Sequence, residues 1–250
     1  MKIHHISTIG TFHTNHNEDH FITAKLTARY QLLAVMDGCS MGTESHFAST
    51  LVKKLLRKIS KELNFKAFAE RREETATVYL KIVLEQLFHQ LARLKNELLL
   101  ERDEVLTTLL LGIVDVQEKA AEIIVIGDGL ICCNGKLTEY EQDNQPDYLG
   151  YHLHEDFKEW FEQQTQQLSV QNIKDLSLST DGIFTFSPFN NETTYDNIGD
   201  DKVTNYLLID QQWMDQENML HKKVHTLEKQ YGLKPTDDLT IVRLIFDEHK

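Results

Sequence analysis

Acidic side chains recur at the ends of short apolar stretches, and most of them stand next to glycine or to another acid. A carboxylate at the end of a buried strand has a fixed position, and a neighbouring glycine lets the backbone turn so that a carbonyl can approach a ligand. Several such ends at one place would form an oxygen-rich pocket for hard divalent cations. The segments are Asn17-Glu18-Asp19, Val35-Met36-Asp37-Gly38, Ile126-Gly127-Asp128-Gly129, Ser179-Thr180-Asp181-Gly182 and Pro235-Thr236-Asp237-Asp238.

A hairpin turn is the better explanation for any one of these segments taken alone, because Asp-Gly is the commonest hairpin-turn signal. The use of glycine favours the ligand interpretation for the group as a whole. The chain contains only 11 glycines. Five of them lie within or close behind the acidic segments: Gly38, Gly42, Gly127, Gly129 and Gly182.

The apolar periodicity predicts the elements that must position these acids. A continuous apolar stretch predicts a buried strand over 31–36, and four-residue spacing predicts a helix over 44–63 with Thr43 as its N-cap. A second helix is predicted over 73–100, a shorter one over 154–168, and a mostly helical segment over 200–231. Strands are predicted over 108–116, 121–126, 130–133 and 136–138 as an antiparallel meander with a turn at Asn134-Gly135, and over 175–180 and 239–246.

Composition indicates an ordinary globular protein, with 41% hydrophobic and 26% charged residues in 250. We expect one domain over residues 1–250, because no change of composition marks a boundary. The net charge of −13 argues against nucleic acid as a partner, and the absence of a long apolar stretch argues against a membrane. Three cysteines, two of them adjacent, do not resemble a disulfide framework, so we expect a cytoplasmic location.

The order of the acidic segments resembles that of the metal-dependent protein phosphatase 2C family, and the resemblance covers nearly the whole chain. It implies an α+β fold, a four-layer αββα sandwich of two antiparallel sheets flanked by helices. It also implies hydrolysis of phosphoserine or phosphothreonine in a phosphorylated protein substrate, and hence a cognate Ser/Thr kinase. The residues that carry the resemblance are Asn17-Glu18-Asp19, Val35-Met36-Asp37-Gly38, Thr107-Thr108, Ile126-Gly127-Asp128, Ser179-Thr180-Asp181-Gly182-Ile183 and Thr236-Asp237-Asp238-Leu239-Thr240.

The resemblance further implies two Mn²⁺ or Mg²⁺ ions in a cleft at one edge of the sandwich. Asp37 would bridge both metals, and Asp181 and Asp237 would bind one of them. The Gly38 carbonyl and Glu18 would serve the other, directly or through water. Two cations that share a carboxylate acidify a bridging water, so that hydroxide can attack phosphorus in line, and they neutralise charge on the phosphoryl oxygens.

Two further acids have weaker roles by the same resemblance. Asp19 would lie behind the ligands and support them. Asp128 matches a position that helps to hold a third, weakly bound metal in many members of the family. Thr185 stands where another aspartate would be expected after Asp181-Gly182, so we expect only two well-occupied metals.

The sequence departs from the family's pattern where phosphate is handled. The family usually has an arginine shortly before Asn-Glu-Asp, yet residues 10–17 contain His13 and His16 instead, and imidazole lacks the rigid fork of guanidinium. A histidine commonly follows Asp-Gly and protonates the leaving group, but this chain has Cys39. Either histidine could contact phosphate or be a plain surface residue, and Cys39 could take part in proton transfer or fill space. A zinc site on His13, His16 and His20 lacks a fourth ligand at a known spacing.

The alternative function is a phosphatase-like module that turns over weakly and binds or regulates a partner. The missing arginine and the cysteine favour it. Retention of Asp37, Asp181 and Asp237 together disfavours it, because a degenerate relative should lose metal ligands first.

Overall fold

The computed structural model describes residues 1–42, 44–142, 146–189 and 200–247. The predicted N-cap Thr43 lies outside them. The strands along the chain are β1 (Lys2–Thr8), β2 (His20–Lys25), β3 (Tyr30–Met36), β4 (Leu109–Asp115), β5 (Ala120–Ile126), β6 (Gly129–Cys133), β7 (Lys136–Tyr140), β8 (Gln167–Val170), β9 (Asp175–Ser179), β10 (Phe186–Pro188), β11 (Leu233–Pro235) and β12 (Leu239–Ile245). The helices are α1 (Ser45–Glu70), α2 (Ala76–Glu97), α3 (Phe157–Glu162), α4 (Asp200–Leu208) and α5 (Met219–Tyr231).

Ten of these strands form two antiparallel sheets, in the orders β2-β3-β4-β5-β8 and β1-β12-β9-β6-β7. Strand β3 shows why they stack. Its residues are buried on both faces, with Leu32 and Ala34 turned towards α1 and α2 and with Leu33 and Val35 turned towards the second sheet. Helices α4 and α5 cover the other face of the second sheet. This is the predicted αββα arrangement, and the fold class is confirmed.

The predicted helices over 44–63 and 73–100 are confirmed as α1 and α2, but α1 continues beyond Leu63, its last buried residue, to Glu70. It ends where Arg71 adopts a left-handed conformation (φ 50°). The segment over 200–231 is mostly helical as predicted. A helix with the length and hydrophobicity needed to cross a bilayer is not found among the described residues.

Two predictions about the middle of the chain are wrong. The helix expected over 154–168 covers only α3, and its last residues belong to β8. The meander is broken, because β5 and β6 lie in different sheets. Gly127 (φ 89°) and Gly129 (φ 150°) turn the chain from one sheet to the other, in conformations that residues with a side chain rarely adopt. Asp128 lies within this crossover.

Candidate metal centre

Strand register brings the acidic segments to one edge of the sandwich. In the first sheet, His20 pairs with Met36, so the residues before β2 lie beside those after β3. In the second sheet, the end of β9 pairs with the start of β12. The Thr180 hydroxyl of the second sheet donates a hydrogen bond to Asp19 Oδ2 of the first (2.6 Å), which joins the two edges.

The predicted acids lie close enough at this edge for their charges to act on one another. The charges of Asp19, Asp181 and Asp237 act on Asp37, and those of Asp237 and Asp128 act on Asp181. The positions are Glu18 and Asp19 before β2, Asp37 and Gly38 after β3, Asp128 between β5 and β6, Asp181 after β9 and Asp237 before β12.

Asp19 and Asp37 form the base of the site. Asp19 is fully buried, and its carboxyl lies near that of Asp37, so that each acts on the pKa of the other. Burial is the main cause that raises the pKa of both carboxyls well above the ordinary value, and neighbouring acids raise the pKa of Asp37 further. Two carboxylates in contact ionise together only when a positive charge lies beside them. A bound cation would provide that charge.

Asp181 and Asp128 show the same effect on the other side of the cleft. Burial, followed by the charges of Asp237 and Asp128, raises the pKa of Asp181 to about 6. Burial and the charge of Glu141 raise the pKa of Asp128. The cleft therefore concentrates negative charge.

The donor set fits a hard divalent cation. Buried carboxylate oxygens of Glu18 (Oε2), Asp19 (Oδ1) and Asp128 (Oδ1) have no hydrogen-bond partner among the described residues. Gly38 is packed so tightly that a Cβ atom would lie 2.1 Å from the Ser45 carbonyl oxygen. Within the described ranges no three His, Cys, Asp or Glu side chains already converge as a ligand group, as expected of like charges that repel one another. The fit rests on donor chemistry and proximity.

The backbone around Asp37 is held by two threonines. The Thr107 hydroxyl donates to the Asp37 carbonyl (2.7 Å), and the Thr108 hydroxyl accepts the Asp37 N–H (3.1 Å). Ser45, at the start of α1, donates to Glu18 Oε1. These contacts fix the end of β3 to the start of β4 and the residue before β2 to the start of α1.

Asp238 organises the loop that precedes Glu18, a role that the sequence analysis missed. It is buried, and it accepts hydrogen bonds from the Gly10 N–H (2.7 Å) and the Glu18 N–H (2.5 Å). His13 Nδ1 lies 2.9 Å from Asp238 Oδ2. The doubled acid Asp237-Asp238 is the local signal that could have identified it.

His13, His16 and His20 point to different places. His13 also lies 3.6 Å from Asp237 Oδ1. Burial lowers its pKa, but the close carboxylate of Asp238 and the charges of Glu18 and Asp237 outweigh this effect, so the pKa of His13 is raised. His16 stacks on His46, with ring centroids 4.2 Å apart, and His20 Nε2 lies 2.6 Å from the Thr50 hydroxyl. The zinc site considered above is not formed by the described residues.

Cys39 faces Tyr148, which the sequence analysis also missed. The Cys39 thiol lies close enough to the Tyr148 hydroxyl to raise its pKa, and the charge of Asp37 acts on Tyr148 in the same direction. Burial, followed by these two neighbours, raises the pKa of Tyr148 and keeps it neutral. No periodic pattern marks the loop that carries Tyr148, so the sequence offered no signal for it.

Thr185 connects two of the acidic segments. Its hydroxyl donates to the Gly182 carbonyl (2.9 Å) and accepts the Asp237 N–H (3.1 Å). A threonine at this position therefore joins the backbone behind Asp181 to that of Asp237.

Comparison with known proteins places this architecture in a family. The sequence model described as protein phosphatase 2C matches residues 10–221. The chain belongs to the protein phosphatase 2C family. A comparison with curated proteins found no match.

Solved structures with the same fold are bacterial phosphatases. The catalytic domain of the serine threonine protein phosphatase PstP in complex with two manganese ions superposes with a TM-score of 0.62 at 17% identity, over 98% of both chains. The serine/threonine phosphatase Stp1 from Staphylococcus aureus gives 0.61 at 15% identity, over 98% of this chain and 95% of that one. The phosphatase domain of SpoIIE from Bacillus subtilis, with a fragment of its regulatory domain, gives 0.58 at 20% identity over 100% of this chain, which spans 64% of that structure. At these identities the comparison supports the fold.

Proposed function

We propose that the protein is a Mn²⁺- or Mg²⁺-dependent phosphatase that hydrolyses phosphoserine and phosphothreonine in proteins. The observation that carries the proposal is the group of mutually repelling, partly buried carboxyls that follow β3 and β9 and precede β12. Family membership supports it, and so does the complex of the PstP catalytic domain with two manganese ions.

The residues that would hold two cations are Asp37 as the shared ligand, Asp181 and Asp237 on one side, and Glu18 with the Gly38 carbonyl on the other. Two bound cations would activate water for attack on phosphorus and neutralise the charge that develops on the phosphoryl oxygens. Asp128 is an optional ligand for a third. The geometry of these side chains would be set by three supports: Asp19 with Thr180, Thr107 with Thr108, and Asp238.

The chain's own phosphate-handling residues would be His13 and Cys39. The raised pKa of His13 increases its positively charged fraction near neutral pH, and Asp238 holds the ring beside Asp237. His13 would thus contribute positive charge near a bound phosphate, but without the two parallel donors of an arginine. Cys39, with neutral Tyr148 behind it, would face the leaving group.

A phosphorylated protein is the substrate that this site would take, and a cognate Ser/Thr kinase would generate it. The second candidate function is a regulatory or binding module with weak turnover. It is favoured by the absence of arginine from residues 10–17 and by Cys39 after Asp37-Gly38.

The test is hydrolysis of p-nitrophenyl phosphate and of a phosphothreonine peptide with Mn²⁺, Mg²⁺ or EDTA. We expect metal-dependent turnover that falls at least about 100-fold in Asp37→Asn and in Asp181→Asn. Asp215→Asn is the matched control, because Asp215 is exposed and paired with Lys2 far from the cleft. Turnover that survives EDTA would contradict the proposal, and metal binding without turnover would establish the regulatory alternative.

A further inference from the structure

A groove runs between the open edge of β2 and the C-terminal half of α1. Two cavities of about 550 and 790 Å³ share Lys25, Asn64 and Phe68 in their walls, so they form one continuous groove. We propose that this groove binds an acidic, extended segment of a partner protein. The proposal is independent of the phosphatase activity.

The edge of β2 offers backbone hydrogen bonds to such a segment. Strand β2 is the first strand of its sheet and pairs on one side only, with β3. The Leu26 N–H donates to the Tyr30 carbonyl (2.9 Å), so the hydrogen-bonded pairs between β2 and β3 fall on every second residue counted back from Leu26. Thr23 and Lys25 therefore direct their N–H and C=O groups away from β3. Among the described residues these groups have no backbone partner, and an added strand would satisfy them.

The end of α1 supplies an apolar wall. The helix continues past Leu63, its last buried residue, for almost two further turns. Phe65 and Phe68 stand in those turns with 73% and 84% of their surface exposed. Two large aromatic side chains side by side at a groove are typical of a binding surface.

The charge of the groove selects an acidic occupant. Its walls contain four cationic residues and one acid, Glu73, in a chain whose net charge is −13. None of the four has an ion pair with another described residue. They are Lys25, Arg57, Lys61 and Arg71. An anionic membrane surface matches the charge, but it cannot use a concave groove or an open strand edge, so a protein segment fits the features better.

The probe is a fluorescein-labelled peptide that alternates glutamate with valine and phenylalanine, titrated with the full chain by fluorescence anisotropy. We expect saturable binding that weakens with added salt. We expect no binding of the same peptide with lysine in place of glutamate, and at least about tenfold weaker binding of an N-methylated version that cannot extend the sheet.

Variants of exposed groove residues locate the site. Lys61→Glu should weaken binding about tenfold, and Phe68→Ala about fivefold or more. Lys136→Glu, an equal change of charge on β7 at the far edge of the other sheet, should change it less than about twofold. All three should keep the p-nitrophenyl phosphate activity of the wild type, so failure of this inference and failure of the proposed function are distinguishable.

Several results would overturn the inference. In the first, the glutamate peptide fails to bind. In the second, the lysine or N-methylated peptide binds as tightly as the glutamate peptide. In the third, Lys61→Glu and Lys136→Glu weaken binding to the same extent. Phe68-dependent binding to phosphatidylserine vesicles without peptide binding would instead make the groove a membrane surface. Phe68-dependent dimerisation in sedimentation without peptide binding would make it an interface between copies of the chain.

Discussion

Asp181→Asn should stabilise the chelator-treated protein at neutral pH, although it removes a proposed metal ligand. The pKa of Asp181 is raised from 3.8 to about 6 in the folded protein by burial and by the charges of Asp237 and Asp128. The folded state then binds the proton more tightly than the unfolded state. The resulting cost is absent below about pH 4, grows as the pH rises, and is complete above about pH 6.

The difference between 3.8 and about 6 corresponds to roughly 3 kcal/mol at neutral pH. The backbone N–H groups of residues 181 and 182 favour the carboxylate and lower its pKa in part, and an amide would lose on the order of 1 kcal/mol of that stabilisation. The expected net gain is therefore about 2 kcal/mol, which raises Tm by about 4–8 °C in a domain of this size.

Urea unfolding in EDTA at pH 4 and pH 8 measures the effect. Asp115→Asn is a control of opposite sign. Burial raises the pKa of Asp115, but its hydrogen bonds with Arg29 and with the N–H groups of residues 117 and 118 outweigh burial, so the pKa is lowered overall. Asp115 thus stabilises the fold above its unfolded pKa, and its replacement should destabilise at pH 8 and matter less as the pH falls. Asp181→Asn that destabilises at pH 8, or acts equally at both pH values, would refute the repulsion argument.

Three further substitutions test the supports of the site. Gly38→Ala should lower the free energy of unfolding in urea by about 3 kcal/mol, because the new Cβ would lie 2.1 Å from a backbone oxygen. Gly112→Ala, where the nearest atom would be 3.5 Å from the new Cβ, should change it by less than about 1 kcal/mol. Equal changes would contradict the packing argument. Thr180→Val should lower the free energy of unfolding by about 1–2 kcal/mol, because it removes the hydrogen bond with Asp19, and Thr180→Ser should keep most of that stability. A serine variant less stable than the valine variant would contradict a role for that bond. Cys39→His should lower the ratio of the rate on p-nitrophenyl phosphate to the rate on a phosphoserine peptide, because an aryl leaving group hardly needs a proton and a serine alkoxide does. An unchanged ratio would show that Cys39 takes no part in protonation of the leaving group.

Strong local patterns explain what the sequence analysis predicted correctly. The apolar run that became β3 has buried side chains on both faces, and the stripes that became α1 and α2 match the period of a helix. Acid and glycine at strand ends predicted where the charged cleft lies, since each motif adjoins its own strand. The identity of the ligands stays a prediction.

Contacts distant in sequence explain what the analysis missed. Thr180 and Asp19 are 161 residues apart and meet only because the two sheets face each other. Asp238 and Tyr148 likewise act through partners that no local spacing reveals. The predicted meander was wrong for a different reason. The glycines around Asp128 are typical of a hairpin turn, but here Gly127 and Gly129, at positive φ angles, lead the chain from one sheet to the other.

Calorimetric titration of the chelator-treated protein with Mn²⁺ tests the central claim most directly. We expect about two bound ions per chain, as a dinuclear site requires. Asp37→Asn should lose tight binding of both ions, because Asp37 is their proposed shared ligand, while Asp215→Asn should bind like the wild type. Absence of Mn²⁺ binding by the wild type, or unchanged binding by Asp37→Asn, would contradict the account.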